Sequence, residues 1–165
     1  MDRDEELLLA VLNSAPVVDG RPLDGLDGTA GHELARRWGG TGTAEEIAQL
    51  RRARDAIQSV IRESDPAALN ELASLIDGTV RTPRVTRDGV VWELDSPTES
   101  SLPLHTVLAW STVTTQLGDR LRACANDECN LFLVDHSRPG TAKWCSMATC
   151  GNRMKARTHA SRSRS

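Results

Sequence analysis

The sequence predicts an α+β protein: a mainly helical N-terminal domain with a β-hairpin, followed by a small treble-clef-like module built on four cysteines. Three observations predict it. Apolar residues recur at helical spacing through most of residues 4–117, between capping residues and glycine stops. Residues 79–94 break that period and read as two strands about a turn. All four cysteines lie in the last quarter of the chain, and the charge balance changes sign at the same place.

The elements follow in order. Asp4 to Asn13 is a short apolar helix. Asp19-Gly20 and Asp24 to Gly31 form a turn-rich loop, read as a connector in preference to a ligand pocket. Thr29 caps a helix that ends at Trp38, with Gly39-Gly40 as its stop. Thr43-Ala44-Glu45-Glu46 is a capping box, and Ile47, Leu50, Ala53, Arg54, Ile57 and Ile61 follow at helical spacing. Asp65-Pro66 starts the next helix, with Leu69, Leu72, Leu75 and Ile76 inward and Gly78 just past its end. Thr79 to Thr86 and Val90 to Leu94 form a hairpin across Arg87-Asp88-Gly89. Leu104 to Leu117 is a further helix carrying Val107, Leu108, Trp110 and Val113, and Gly118-Asp119 marks a junction. The expected division is therefore a helical domain over 1–118, the four-cysteine module over 119–160 and a flexible basic tail over 161–165. Trp38, Trp92 and Trp110 are read as core.

The cysteines carry most of the functional information. Four residues separate Cys124 from Cys129, fifteen separate Cys129 from Cys145, and four separate Cys145 from Cys150. Each close pair makes one tight loop that aims two sulfurs at a point, which is what a tetrahedral thiolate metal site requires. Four cysteines also allow three disulfide pairings, but disulfides persist in oxidising compartments. The first residues carry mixed, mostly acidic charge and an apolar run, Leu7 to Leu12, too short for a secretory signal. No stretch approaches the ~20 apolar residues of a membrane span. The expectation is a cytoplasmic protein with reduced thiols and one structural Zn2+ on Cys124, Cys129, Cys145 and Cys150. Four thiolates leave the ion no open position for catalysis. His136 lacks a second histidine at ligand spacing and is read, like His32, His105 and His159, as a solvated surface residue.

Within the module, Ala125-Asn126-Asp127-Glu128 is the turn of a knuckle, Leu131 to Val134 has strand character, and Ser137-Arg138-Pro139-Gly140 is a turn. Ser146 caps a helix from about Met147 to Ala160, placing Met147, Cys150 and Met154 on one arc toward the metal and Trp144 as its shield. So small a segment buries too little apolar area to fold alone, and zinc is expected to supply its stability. Gly151 inside a helical turn implies close packing, against the knuckle or the donors of a sulfur. Asn152 is assigned to backbone groups of the hairpin loop. Arg153 either bridges to Asp135 or faces a phosphate. On a helix that reaches the chain end, Arg153, Arg157 and Arg164 share one stripe, with Lys155 and Arg162 roughly opposite.

The run Trp144-Cys145-Ser146-Met147-Ala148-Thr149-Cys150-Gly151-Asn152-Arg153 resembles the CGNR zinc-finger family, named for Cys150 to Arg153. The likeness extends back through Leu121 to Cys129 and Phe132 to Arg138, and forward through Met154 to Arg157, covering roughly residues 120–160. Members of that family often carry an N-terminal domain called ABATE, associated with stress-induced transcription regulation, and residues 5 to about 115 look like it, chiefly at Leu8 to Ser14 and around Trp38. The resemblance implies zinc binding and DNA binding.

Charge agrees with that implication up to a point. Residues 119–165 hold nine Lys/Arg against four Asp/Glu, a balance of +5, whereas residues 1–118 balance at −8, giving the −3 of the whole chain. Zinc with four thiolates carries −2, so the metallated module is nearer +3. Arg138, Lys143, Arg153, Lys155 and Arg157 are the candidate phosphate contacts. No catalytic constellation emerges: His32-Glu33 is isolated, Glu45-Glu46 belongs to a cap, and no nucleophile motif or phosphate loop is present. The expected function is DNA-binding transcription regulation, with the N-terminal domain sensing a small molecule or binding a protein effector. The competing expectation is a zinc-stabilised protein-interaction module, with RNA binding third because few aromatics are free to stack. A homodimer through the helical domain is a candidate assembly.

Overall fold

The computed structural model of the chain describes residues 2–96 and 101–162. Five helices make the body: α1 (Arg3–Leu12), α2 (Gly28–Arg37), α3 (Ala44–Glu63), α4 (Pro66–Ile76) and α5 (Leu102–Leu117). A two-residue ladder, β1 (Val17–Val18) with β2 (Arg21–Pro22), sits between α1 and α2, and the hairpin β3 (Val80–Thr86) with β4 (Gly89–Asp95) sits between α4 and α5. A 3-10 turn at Gly118–Arg120 leads into β5 (Leu121–Ala123), which pairs antiparallel with β6 (Phe132–Val134). The last described elements are a π-helical turn, Met147–Gly151, and the helix α6 (Asn152–Arg162) into which it runs.

Helix α3 is the spine. Ile47, Leu50, Ala53, Ala56 and Ile57 are buried along one face and meet Leu8, Val11 and Leu12 of α1 and Val107, Ala109 and Val113 of α5. Its start uses the expected cap in altered form. Thr43 Oγ1 accepts from Glu46 N at 3.3 Å, but the buried Glu46 carboxylate takes the Gly42 N–H at 2.6 Å, one residue earlier than a reciprocal box requires. Arg54, also buried, donates to Asp24 Oδ1 at 2.6 Å and to Asp55, so the Asp24 loop is pinned to the spine.

Several elements differ in detail from the expectation. Thr29 lies inside α2; the capping position is Asp27 in extended conformation, with no side-chain cap. Helix α4 starts as expected, with Asp65 accepting from Ala67 N at 2.9 Å, and Gly78 follows it with a positive φ of 72°. Its buried face, however, is Ala68 and Leu72 with Leu75 alongside, and Leu69 and Ile76 are solvated. Only one side of α4 meets α3 and α5, so residues a step off that stripe have nothing to cover them. Helix α5 begins two residues earlier than expected, because Pro103 fits a first helical turn. Trp38 and Trp110 pack against the core, but Trp92 is 54% exposed, because the hairpin that carries it has a bare face.

The cysteine module does not stand apart. Leu121 and Phe132 belong to the same apolar cluster as the helices. Asn13, at the end of α1, accepts from Phe132 N at 2.7 Å and donates to its carbonyl at 3.2 Å, so one amide side chain prolongs the β5–β6 ladder. Arg62 of α3 stacks 4.6 Å over the Phe132 ring and donates to Asn130 O. Docking on the body therefore shares with zinc the stabilisation that the metal alone was expected to supply. No helix among the described residues is long and apolar enough to cross a membrane.

Candidate metal centre

The centre is built from two loops. Strand β5 delivers Cys124, whose N–H is held by Leu131 O at 2.8 Å, and the knuckle turn closes with Cys129 N donating to Asn126 O at 2.8 Å. The second loop is tied to the first where Ala125 N donates to Lys143 O at 2.8 Å. Cys145 precedes the π-helical turn and Cys150 lies within it. Ser146 is extended and its hydroxyl caps nothing; its carbonyl takes Gly151 N at 2.9 Å in a wide turn. The expected α-helix from Met147 thus begins only at Asn152. The wider turn sets Cys150 inward, where it is buried, while Met147 is left 52% exposed, off the arc it was expected to share.

The four sulfurs lie within 4.8 Å of one another. Cys129 Sγ is 3.6 Å from Cys145 Sγ, which is 3.7 Å from Cys150 Sγ. Zinc–sulfur bonds of about 2.3 Å at tetrahedral angles put sulfurs about 3.8 Å apart, so the cluster has the size the ion needs. The surrounding donors fit thiolates as well. Cys145 N points at Cys124 Sγ at 3.5 Å, and Asn126 Nδ2 at Cys150 Sγ at 3.4 Å. Burial pushes the Cys129 and Cys145 thiols up, and at Cys150 burial is outweighed by the Asn126 amide and the neighbouring sulfurs, which hold it below its ordinary value. Four crowded sulfurs cannot all ionise against one another without a cation, and a divalent ion supplies the missing charge. Cys124, Cys129, Cys145 and Cys150 hold one structural zinc ion.

Residues 120–163 match the CGNR zinc finger. The matched segment is the one that β5, the knuckle, β6 and α6 occupy. No curated protein matches the chain. No family match supports the ABATE resemblance of the helical body.

Around the metal centre, a buried asparagine of the knuckle has a contact the sequence did not signal. Asn126 is 1% exposed; besides reaching Cys150, it accepts Glu128 N at 3.3 Å, so one side chain orders the knuckle and aims at a ligand. Asn152, expected to serve the hairpin loop, is exposed and donates only to Ala148 O, 3.4 Å away in the preceding turn. Any Asn in a turn can bond its own backbone, so nothing in the pattern separated the two. Gly151 packs closely as expected, but against Met147 and Trp144, not the knuckle: a Cβ there would lie 2.7 Å from Met147 Sδ and 3.2 Å from Trp144 Cδ1.

Asp135, buried, accepts Ser137 N and Ala142 N at 2.8 Å each and sits 3.6 Å from Arg122, so its carboxyl is held below the ordinary range by those donors. The bridge from Arg153 to Asp135 is not formed: Arg122 is the cation beside Asp135, and Arg153 lies by Asp127 and Glu128. His136 is not merely solvated: its Nε2 lies 2.7 Å from the buried carboxylate of Glu5, stitching the finger to α1.

The basic residues divide around α6. Arg157 pairs with Glu128 at 2.6 Å, and Arg153 opens on the same side, onto a hollow shared with Asp127 and Glu128. Lys155 and Arg162 lie on the other side with Trp144, Met154, Thr158 and His159, around a shallow groove of about 330 Å3. Arg138 and Lys143 are exposed on the loop between the zinc-binding pairs. The helix continues through Arg162, two residues into the expected tail; Arg164 and the rest of that tail lie outside the described residues.

Proposed function

We infer that this chain is a DNA-binding transcriptional regulator in which the zinc finger meets the phosphate backbone and the ABATE-like helical body, residues 1–118, takes an effector. The observation that carries this is α6. It buries no residue, contains no acid, and displays Arg153, Lys155, Arg157 and Arg162 from a turn anchored on the metal through Cys150. A helix that contributes nothing to the core but is fixed at one end by zinc has its cost explained by what it presents outward. Lys155 and Arg162, with Lys143 near Trp144, are the cations best placed to bind, because Arg157 is engaged by Glu128 and Arg153 faces acidic neighbours. The effector reading rests on a cleft of about 530 Å3 in the body, where Arg3, Arg81 and His105 stand among Trp38, Leu108 and Ser111. No catalytic role is assigned to either part.

The test is fluorescence anisotropy of the zinc-loaded protein with duplex DNA from a genomic pool, over a salt series. Three or four phosphate contacts predict a slope of about −3 to −4 in log affinity against log salt. Lys155→Ala and Arg162→Ala should each reduce the slope by about 1, and Arg157→Ala by less. Absence of binding at low salt would favour the second reading, a zinc-stabilised protein-docking module. That reading draws on the Arg157–Glu128 pair and on the −2 charge of the metal centre, both of which subtract from the field of the finger.

A further inference from the structure

The β3–β4 hairpin meets the rest of the protein little and leaves Val85 82%, Val90 58% and Trp92 54% exposed. Its register explains what this surface is. Thr86 pairs with Gly89 across a two-residue turn, which makes theirs a hydrogen-bonded pair. Alternation then places Arg84–Val91, Thr82–Glu93 and Val80–Asp95 in the same class, with Val85–Val90, Pro83–Trp92 and Arg81–Leu94 between them. Pro83 falls where an N–H would point away from β4, so it costs the hairpin nothing and blocks the outer edge of β3. The outer edge of β4 has no such block. The N–H and C=O groups of Val90, Trp92 and Leu94 point outward, and their side chains share one face with Val85, Pro83 and, at its far end beside Leu94, Arg81.

We propose that β4 pairs with β4 of a second copy, antiparallel about Trp92, to form a four-stranded sheet β3-β4-β4-β3. Centring the two-fold on Trp92 is the register that engages all three outward residues: Trp92 with Trp92 of the other copy, and Val90 with Leu94 in both directions. It gathers Val85, Val90 and Trp92 of both copies on one face of the sheet, while Val80 and Val91 stay on the other. The charges permit it, because Glu93 falls opposite Val91 of the other copy and is already paired in its own hairpin with Arg84 at 2.5 Å. A second copy, and not a foreign strand, is the occupant these features select. One event satisfies both open edges, and the two Pro83-blocked edges left outside stop growth at two. A two-stranded hairpin is marginal by itself, and doubling it gives the sheet the width that stability requires.

The experiment is sedimentation velocity on the zinc-loaded full chain from about 1 to about 100 µM, the range in which a modest interface dissociates. A monomer–dimer equilibrium is expected, with slowed exchange of the Val90, Trp92 and Leu94 amides as concentration rises. Val90→Pro removes only an outward N–H, and Trp92→Lys charges the face; each should weaken the dimer at least about tenfold while the helical circular dichroism is retained. Thr82→Lys, on the opposite face, should leave it intact. A monomer at every concentration, with its edge bare or taken up by another peptide, overturns the proposal, as does a dimer that both variants leave unchanged.

Discussion

Replacing Asn126 tests how the zinc is held. The side chain is buried, donates to Cys150 Sγ and accepts Glu128 N. A hydrogen bond to a charged group contributes about 1.5–3 kcal/mol, and every 1.4 kcal/mol is tenfold in affinity. Asn126→Ala should therefore lower zinc affinity about 10- to 100-fold, the range of changes in groups that support metal ligands. Asn126→Asp should do worse, because a carboxylate would face a thiolate where an amide N–H now points. Asn152→Ala should change the affinity less than about twofold, since its amide reaches only a carbonyl in its own turn. The assay is competition for zinc against a chromophoric chelator at fixed pH. Equal losses for Asn126→Ala and Asn152→Ala, or no loss for Asn126→Ala, would refute the assignment of that hydrogen bond.

Three further outcomes follow from packing and charge. Phe132→Ala, which empties a site shared by the finger and the helices beneath Arg62, should cost about 3–5 kcal/mol in chemical denaturation of the zinc-loaded protein. Gly31→Ala should cost about 2–3 kcal/mol in the same assay, because its Cβ would lie 2.2 Å from the Leu26 carbonyl oxygen, whereas Gly151→Ala meets the movable end of Met147 and should stay under about 1 kcal/mol. At Asp24, burial would raise the carboxyl, but Arg54, the Leu26 N–H and Arg51 outweigh it and hold its pKa far below the ordinary value. A depressed folded-state pKa gives stability that is complete above the unfolded value of about 4 and is lost as pH falls below it. Asp24→Asn should thus cost about 3 kcal/mol at pH 7, because the buried Arg54 guanidinium keeps only the exposed Asp55 as an anionic partner, and the gap to wild type should narrow between pH 4 and 2.

What was legible in the chain were the features with a local cause. The Thr43 cap, the Asp65-Pro66 start, the Gly78 stop and the ligand pairs each follow from a few adjacent residues, and each is in place, although Glu46 reaches Gly42 N in place of the Thr43 N–H of a reciprocal box. What was not legible depends on distant partners. Leu69 and Ile76 have the period of a buried stripe, yet only the placement of α3 and α5 decides which side of α4 is covered. Trp92 alternates like a core strand residue but belongs to a hairpin with a bare face. His136 meets Glu5, 131 positions away, and Asn13 meets Phe132 across 119; no periodicity encodes such pairs. Around the metal, the ligands were evident from spacing, but the π-helical turn moved the helix start, and the contact of Asn126 with Cys150, 24 positions away, has no local signal.

X-ray absorption at the zinc edge of the full-length protein is the most direct measurement of the central claim. The geometry predicts one zinc per chain with four sulfur neighbours at about 2.3 Å and no nitrogen or oxygen in the first shell. A shell containing a light donor, such as His136 or water, or less than stoichiometric zinc in protein with all four thiols reduced, would contradict a closed structural centre on Cys124, Cys129, Cys145 and Cys150.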